Sequence, residues 1–237
     1  MQKNKPQKII EKIRDDYDLI ATEWDLSRNR ASKLKIDLIS EIETKNKVLD
    51  IGCGNGLMAP FILEKGAFYF GLDISGNLIK IARKKYAKEI KNGQTNFFAG
   101  QATDLPFENK EFDFIISFAA LHHIPSEELR KKFFEEIKRI SKPSAKVKIT
   151  VWNLLSDWAN DRFNIASQLA GKQSGDVVVP WKATKGKIVD RYMHQFSREE
   201  LLLLAKNAGF KNIKIDFFNR AGELTENGEE MVLEMEK

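Results

Sequence analysis

The chain has 237 residues, enough for one domain, and 42% of them are hydrophobic, enough for a sizeable core. No apolar run reaches the roughly 18 residues of a membrane helix, the Lys-rich N-terminus lacks the apolar region of a secretory signal, and one cysteine excludes an internal disulfide. With one Cys and three His, we expect no metal site. The net charge of +5 is a mild indication of a polyanionic partner. We therefore expect a cytoplasmic enzyme with no membrane partner.

The first 44 residues predict a pair of helices. Apolar residues recur at helical spacing over 7–23 and predict the first helix. The segment 17–30, with its aromatic and basic residues, is expected to interrupt it. Ser32 is a suitable N-cap for the second helix, which carries Leu34 and Leu38 on one face.

The middle of the chain alternates between strand and helix patterns. These patterns predict strands at 47–51, 67–72, 95–99, 112–118 and 145–152, and helices at 56–65, 76–90 and 126–141. The alternation predicts a parallel sheet with helices on both faces. Ligands of such sheets bind at the carboxyl ends of the strands, where Gly52, Asp73, Gln101 and Phe118 fall.

The last third of the chain contains a segment that this core does not require. The patterns predict helices at 156–171 and 197–208, a long polar loop at 172–191, and strands near 211–218 and 229–236. Residues 171–198 hold six lysines and arginines against two aspartates. Because a long loop in a compact enzyme is usually functional or disordered, we expect the substrate to bind here.

The stretch 48–56 is the part around which the chain is organised. It begins as a buried strand with Asp50 and ends in a loop with glycine at every second position, which lets a ligand approach the backbone. Asp73 lies 17 residues after Gly56, at the tip of the next strand, where a carboxylate can hold a ribose diol. Asp50 would repel the pyrophosphate of a dinucleotide but attract an ammonium group. We therefore predict S-adenosylmethionine as the cofactor, since a ligand-free turn would leave both carboxylates unexplained.

Four motifs resemble those of the class I S-adenosylmethionine-dependent methyltransferases. They are Asp50-Ile51-Gly52-Cys53-Gly54-Asn55-Gly56, Gly71-Leu72-Asp73-Ile74-Ser75, Leu105-Pro106-Phe107 and Phe112-Asp113-Phe114-Ile115-Ile116-Ser117. The resemblance implies a Rossmann-like α/β fold with a seven-stranded, mostly parallel sheet, helices on both faces and an antiparallel last strand. It implies a single methyltransferase domain with four parts: an N-terminal helical cover (1–44), a cofactor-binding core (45–152), a substrate-binding insertion (153–196), and a closing helix and strands (197–237).

The same resemblance implies where the cofactor binds. Gln101 stands where the family usually has an Asp that accepts from the adenine amino group, and a Gln oxygen can accept in the same way. Helices that cover the cofactor in this family would bring Tyr17 and Trp24 over the pocket, although each could equally be a core aromatic. The expected cofactor-binding residues are Tyr17, Trp24, Asp50, Gly52, Cys53, Gly54, Asn55, Gly56, Asp73, Ile74, Gln101, Ala102 and Phe118.

The residues after the fourth strand limit the methyl acceptor. They lack the Pro-Pro pair of base-flipping amine methylases, and the only Cys lies in the cofactor loop, which argues against a cytosine carbon methylase. The stretches 117–124, 151–152, 176–181 and 191–196 resemble the tRNA wobble-uridine carboxymethyl methyltransferases, which esterify a carboxymethyl group on the anticodon uridine. Ser27-Arg28 matches a Ser/Thr-Arg pair of that group, whereas the group's aromatic-rich C-terminal ending is absent.

This resemblance implies roles for particular side chains. Because a carboxylate is already nucleophilic at neutral pH, no general base is needed. Arg28 would hold the carboxylate, His122 or His123 would donate to it or to the uracil, and Trp152 would stack on the base. Each could instead be a core, capping or surface residue. Contacts with the tRNA anticodon loop are expected from Trp181, Lys182, Lys185, Lys187, Arg191 and His194.

A partner and two other functions stay open. Members of this group often work with a small zinc-ribbon activator protein that pairs with the sheet edge near the third strand, here 95–99, although helices could cover both faces of that strand. A small-molecule methyltransferase of the quinone-biosynthesis type would share the core motifs and use His122 or His123 as a general base. A non-catalytic subunit would bind the cofactor without turnover.

Overall fold

The computed structural model describes residues 5–171, 174–182 and 188–237. The helices are α1 (Lys5–Ser27), α2 (Lys33–Leu38), α3 (Ala59–Leu63), α4 (Gly76–Lys85), α5 (Ala87–Lys91), α6 (Glu127–Ile140), α7 (Asp157–Phe163), α8 (Ile165–Leu169) and α9 (Arg198–Asn207). The strands are β1 (Lys47–Ile51), β2 (Phe68–Asp73), β3 (Thr95–Ala99), β4 (Phe112–Phe118), β5 (Ser141–Trp152), β6 (Asp176–Lys182), β7 (Ile188–His194), β8 (Lys211–Phe218), β9 (Leu224–Thr225) and β10 (Glu230–Glu236).

Eight strands form one large sheet in the order β3-β2-β1-β4-β5-β10-β8-β9. The strands from β3 to β5 in this order run parallel, and β10 is antiparallel to both β5 and β8. The α/β class, the parallel core and the antiparallel last strand are therefore confirmed. The predicted count of seven is wrong, because the two-residue β9 adds to the end of β8.

The central strand β1 explains why the ligand edge lies where it does. Val48, Leu49 and Ile51 have no exposed surface, since packed hydrophobic layers cover both faces of the sheet. Asp50 is the one acidic residue of this strand and is also buried. The chain leaves β1 at the carboxyl edge, beside the ends of β2 and β4.

Two segments differ from the sequence prediction. Helix α1 continues through Ser27, because Tyr17 and its neighbours pack into a hydrophobic cluster with Leu78 and Val189 instead of breaking the helix. The predicted loop at 172–191 is largely a hairpin of β6 and β7. Its signal was the alternation of buried Val177 and Val179 with exposed residues, which has the period of a strand. No helix in the described ranges is long and apolar enough to cross a lipid bilayer.

Candidate active site

A cavity of about 400 Å³ opens at the carboxyl ends of β1, β2 and β4. This volume is in the range of small-molecule sites. Helix α1 and the hairpin strand β7 cover it, so that residues far apart in sequence face one space. Every predicted catalytic residue lines the cavity: Arg28, His122, His123 and Trp152. So do the predicted cofactor residues Tyr17, Trp24, Asp50, Gly52, Cys53, Gly54, Asn55, Asp73, Ile74, Gln101, Ala102 and Phe118.

Asp50 is a buried acidic residue in the wall of the cavity. It is only 3% exposed, and one oxygen accepts a hydrogen bond of 2.7 Å from the Tyr69 hydroxyl. Burial raises its pKa to about 7, against the lowering effects of Tyr69 and of the Lys35 charge. A positive group that binds beside such an acid favours its ionised form further. The ammonium of S-adenosylmethionine would supply that charge.

Asp73 is held at the cavity wall by the backbone. Its two oxygens accept hydrogen bonds of 2.8 Å from the amides of Gly54 and Ser75. Burial raises its pKa to about 6, although both amides favour the charged form. The carboxylate is therefore oriented and still has lone pairs for hydroxyl donors, as a ribose diol requires.

The glycine loop is shaped by protein packing as well as by a ligand. At Gly52 (φ +80°), an added Cβ would lie 2.3 Å from the Cβ of Ala120. At Gly56 (φ +76°), it would lie 2.8 Å and 2.9 Å from the rings of Phe97 and Tyr86. Gly56 is not among the residues that line the cavity, and its close neighbours give it a packing role behind the loop, while its cofactor contact stays a prediction.

Two aspartates fasten α1 over the cavity. Asp18 accepts from the Ser75 hydroxyl at 2.6 Å and from the Asn77 amide at 2.9 Å, at the N-terminus of α4. Asp25 accepts from the Asn55 side chain at 2.7 Å. We expected Asn55 to bind the cofactor. Its side-chain Nδ2 instead donates to Asp25 and to the Arg28 carbonyl, and both bonds hold α1 in place.

His123 has a fixed protonation pattern. Its Nδ1 lies 2.8 Å from the Tyr192 carbonyl, which can only accept, so Nδ1 carries the proton. Burial, with a smaller effect of the Arg191 charge, lowers its pKa to about 3, so the ring is neutral and Nε2 accepts from the Tyr17 hydroxyl at 2.9 Å. This leaves no N–H for a substrate, so the expected donation by His123 is corrected: the ring orients Tyr17 instead.

His122 is the better donor of the two. It is 1% exposed, and burial lowers its pKa well below the usual value. Its Nδ1 accepts from the backbone amide of Trp152 at 3.3 Å. The proton of the neutral ring is therefore on Nε2, and His122 also packs 5.8 Å from the Trp152 ring at the cavity wall.

Three arginines bring positive charge to the same cavity: Arg28, Arg191 and the exposed Arg30. Burial lowers the pKa of Arg28, and the neighbouring charge of Arg191 lowers it further. Arg191 is 3% exposed, lies 5.5 Å from the Trp152 ring centroid, and its Nε has no hydrogen-bond partner. Within the described residues neither Arg28 nor Arg191 forms an ion pair with a carboxylate. A buried guanidinium such as that of Arg191 is costly without an anion, so this part of the cavity favours negative charge.

The other predicted RNA contacts lie elsewhere. Trp181 is half-buried and packs 5.6 Å from Trp24 of α1, and Lys182 is exposed. His194 is buried between Asp176 and Glu200, each about 3.0 Å away. A buried His194 and a buried Arg191 cannot belong to an exposed phosphate-binding surface, so this prediction is corrected for both. Lys185 and Lys187 lie outside the described residues.

Sequence reasoning missed three charged residues at the cavity, namely Arg30, Lys35 and Glu230. Lys35 of α2 faces it close to Asp50, and its charge lowers the pKa of that acid. Glu230, the first residue of β10, also lines it, with its Oε2 buried and unbonded in the part of the chain that is described. The position of Lys35 directly after Leu34, on the predicted apolar face of α2, was only a weak sequence signal for a cavity residue. The sequence around Glu230 gave no such signal.

The chain is similar to known methyltransferases. A family model for the methyltransferase domain matches residues 49–149. A tRNA (carboxymethyluridine(34)-5-O)-methyltransferase from Arabidopsis thaliana is 36% identical over 60% of this chain and 34% of its own length. A demethylmenaquinone methyltransferase from Bacillus mycoides is 30% identical over 62% of this chain and 63% of its own length. The chain thus spans about a third of the plant relative.

Solved structures share the fold. A methyltransferase from Methanosarcina mazei has a TM-score of 0.65 at 21% identity, covering 84% of this chain and 96% of its own. A methyltransferase from Haloferax volcanii, solved in complex with the Trm112 methyltransferase activator, has a TM-score of 0.65 at 19% identity, covering 94% and 96%. Together, the fold, the family-model match and the relatives support a class I S-adenosylmethionine-dependent methyltransferase. Its cofactor is S-adenosylmethionine.

Proposed function

We propose that the protein transfers a methyl group from S-adenosylmethionine to the carboxylate of a carboxymethyl-uridine at the tRNA wobble position. The observation that carries this proposal is that Arg28 and Arg191 both face the cofactor cavity and that neither pairs with a carboxylate in the described part of the chain. An acceptor carboxylate would give each guanidinium its missing anion. The name of the plant relative, over the third of its length that matches, points to the same substrate class.

The chain's own residues would hold and orient the acceptor. S-adenosylmethionine supplies an electrophilic methyl group, and the acceleration comes mainly from placing the nucleophile correctly. In this proposal Arg28 and Arg191 hold the carboxylate. Trp152 stacks on the uracil, and the Nε2–H group of His122 donates a hydrogen bond to the base. The buried Oε2 of Glu230 has no partner among the described residues and is available to accept from the uracil N–H. No proton has to be removed, because the carboxylate is already ionised.

A small-molecule acceptor is the second candidate, since a demethylmenaquinone methyltransferase is among the relatives. A phenolic hydroxyl would need a general base in the cavity. His123 has a pKa of about 3, and both of its ring nitrogens form hydrogen bonds within the protein, so it is poorly suited to act as that base. The two unpaired arginines also have no counterpart in a neutral apolar acceptor. We therefore favour the anionic acceptor.

The test is methyl transfer with labelled S-adenosylmethionine and tRNA that bears unesterified carboxymethyl-uridine. We expect label to enter the RNA and to leave as methanol in mild alkali, as an ester must. Label that withstands alkali would mean another position on tRNA. Bound cofactor with no label in RNA, together with transfer to a demethylated quinone, would favour the small-molecule alternative.

We further propose a small activator protein as a partner at the open edge of β3. The Haloferax methyltransferase, which shares the fold, was solved in complex with such an activator. Of the two adjacent aromatic residues there, Phe97 is fully buried and Phe98 is half-buried. Neither offers a large exposed apolar face. A partner at this edge would therefore bind mainly through backbone hydrogen bonds, by adding a strand.

The backbone groups at the open edge of β3 already have partners within the chain. The Gln94 carbonyl and the Gly100 amide bond to β2. Because alternate residues of a strand direct their backbone groups to opposite sides, the amide and carbonyl of Phe97 point to the open edge. Arg83 donates to the Phe97 carbonyl from Nε and Nη2 at 3.0 and 2.6 Å, and Asn96 Oδ1 accepts from the Phe97 amide at 2.8 Å. An added strand must displace both side chains.

Replacing Arg83 with alanine is therefore expected to strengthen binding of a zinc-ribbon activator by about threefold to tenfold, since a competing charged hydrogen bond is removed. Calorimetric titration of the activator measures this, with the exposed neighbour Lys84→Ala as the matched control. Weaker binding in the Arg83 variant would show that the guanidinium contacts the partner, and equal binding would place the partner at another surface.

A further inference from the structure

Three aromatic rings lead from the cavity to the outside of the molecule. Trp152 lines the cavity, the Trp158 ring lies 5.6 Å from it, and the Phe163 ring lies 5.7 Å beyond. The rings meet at interplanar angles of 78° and 89°, edge to face, and each is half-buried. We call these three residues the aromatic row. Their inner sides pack on a small core cluster, so only their outer sides are available to a ligand.

Arginines accompany the aromatic row along its length. Arg191 lies over Trp152 at the cavity end, Arg220 lies 3.9 Å from the Trp158 centroid, and Arg162 lies 6.0 Å from Trp158. Arg162 and Arg220 are exposed, and neither forms an ion pair among the described residues. Arg220 comes from the turn after β8, whereas Trp158 and Arg162 are four residues apart on one face of α7.

We propose that the aromatic row, with Arg162 and Arg220, binds the single-stranded RNA that flanks the target nucleotide. This inference rests on the proposed function, because the row begins at the ring that would stack on the target uracil. Bases of any sequence stack on aromatic rings and on guanidinium planes, and phosphates pair with the same arginines. A row of both groups that is continuous with the cavity matches a nucleic-acid strand better than an apolar metabolite or a protein surface.

Nearby acids limit where the phosphates can lie. Asp157 and Asp161 are exposed on α7, one residue before Trp158 and Arg162 respectively, and therefore about 100° around the helix. They would repel a backbone on their own side of α7. The phosphates are thus expected on the side of α7 that carries Arg162 and Arg220.

The first experiment measures binding of a fluorescent anticodon stem-loop with carboxymethyl-uridine by anisotropy, using full-length protein. Arg220→Glu is expected to weaken binding by about tenfold and to reduce the slope of log Kd against log salt by about 0.7, the value for one single-strand phosphate. The control is Lys88→Glu, which makes the same charge change on α5, near the opposite edge of the sheet. It should bind within about twofold of wild type.

A second pair of variants tests stacking. Trp158→Ala is expected to weaken RNA binding by about tenfold, and Trp158→Phe to restore most of it, because the ring and not the indole N–H stacks. Thermal melting of each variant shows whether weaker RNA binding results from unfolding. If a Trp158 variant unfolds, the test rests on Arg220→Glu, which changes an exposed residue. The KM for the free carboxymethyl-uridine nucleoside should stay unchanged in all of them, since it has no flanking strand.

The outcomes separate this inference from the proposed function. Equal effects of Arg220→Glu and Lys88→Glu, with wild-type protein active on tRNA, overturn the aromatic row as the RNA site and leave the function standing. RNA binding that depends on Arg220 without any methyl transfer supports the row while the proposed reaction fails. Absence of RNA binding by the wild-type protein overturns both.

Discussion

Replacing Arg191 with methionine is expected to lower kcat/KM for carboxymethyl-uridine tRNA at least about 100-fold, or about 3 kcal/mol, while the affinity for S-adenosylmethionine stays the same. Arg191 is buried, and neither a partner for its Nε nor a paired carboxylate is present among the described residues, so most of its ion-pairing energy would be realised only with an anionic acceptor. Single-turnover methyl transfer and calorimetric titration of the cofactor measure the two effects. Arg191→Lys should be intermediate, because it keeps the charge but loses the planar fork.

Stability distinguishes this binding role from a structural one. Removing a buried cation that has no carboxylate partner should leave the Tm of the free protein unchanged or raised, since an uncompensated charge is removed. Arg198→Met, at an exposed position on α9, is the control for loss of one positive charge. A drop in Tm with a parallel loss of cofactor binding would mean that Arg191 holds the hairpin in place and does not act on the acceptor.

Replacing Asp50 with asparagine is expected to weaken S-adenosylmethionine binding at least about 30-fold at pH 7.5, or about 2 kcal/mol, because the ammonium loses its buried carboxylate. The pH dependence should follow the pKa of about 7 in the free protein. Below that pH the acid is protonated before binding, so wild-type affinity should fall by up to about tenfold per pH unit. Asp50→Asn should lose this component, which calorimetric titration at several pH values measures.

Folding should respond to Asp50 in the opposite sense. Its pKa is about 7 when folded and ordinary, near 4, when unfolded, so the folded state holds the proton more tightly. The stability from this group is fully present below about pH 4 and is lost as pH rises to about 7. Free Asp50→Asn should thus melt above wild type at pH 8, although it binds cofactor worse. A variant that melts lower and binds normally would contradict both expectations.

The arrangement of the two sites suggests how one cavity serves two ligands. The cavity carries charges of both signs, with Asp50, Asp73 and Glu230 as acids and Lys35, Arg28 and Arg191 as cations. The acids can attract a cationic cofactor, and the guanidinium groups can attract an anionic acceptor. Helix α1 contacts the glycine loop through the bond of Asp25 to Asn55, and it contacts His123 through Tyr17. Its docking therefore links the glycine loop to His123.

Much of the core was determined by local sequence. The strand that holds Asp50, the glycine loop and Asp73 at the next strand tip were predicted from hydrophobic periodicity and spacing, and the structure brings these residues to one cavity. Such features are readable because a buried parallel strand must be apolar and because left-handed backbone at Gly52 and Gly56 requires glycine.

Other features were decided only by tertiary contacts. Arg191 and Lys182 are basic residues in neighbouring parts of one hairpin, yet the first faces into the cavity and the second faces out. That difference follows from the register of β6 with β7 and from the docking of β7 against α1, which charge counting cannot detect. The tautomer of His123 likewise depends on a carbonyl 69 residues away in the chain. Sequence alone determined the cofactor edge through local backbone needs, whereas the acceptor side arises from long-range packing.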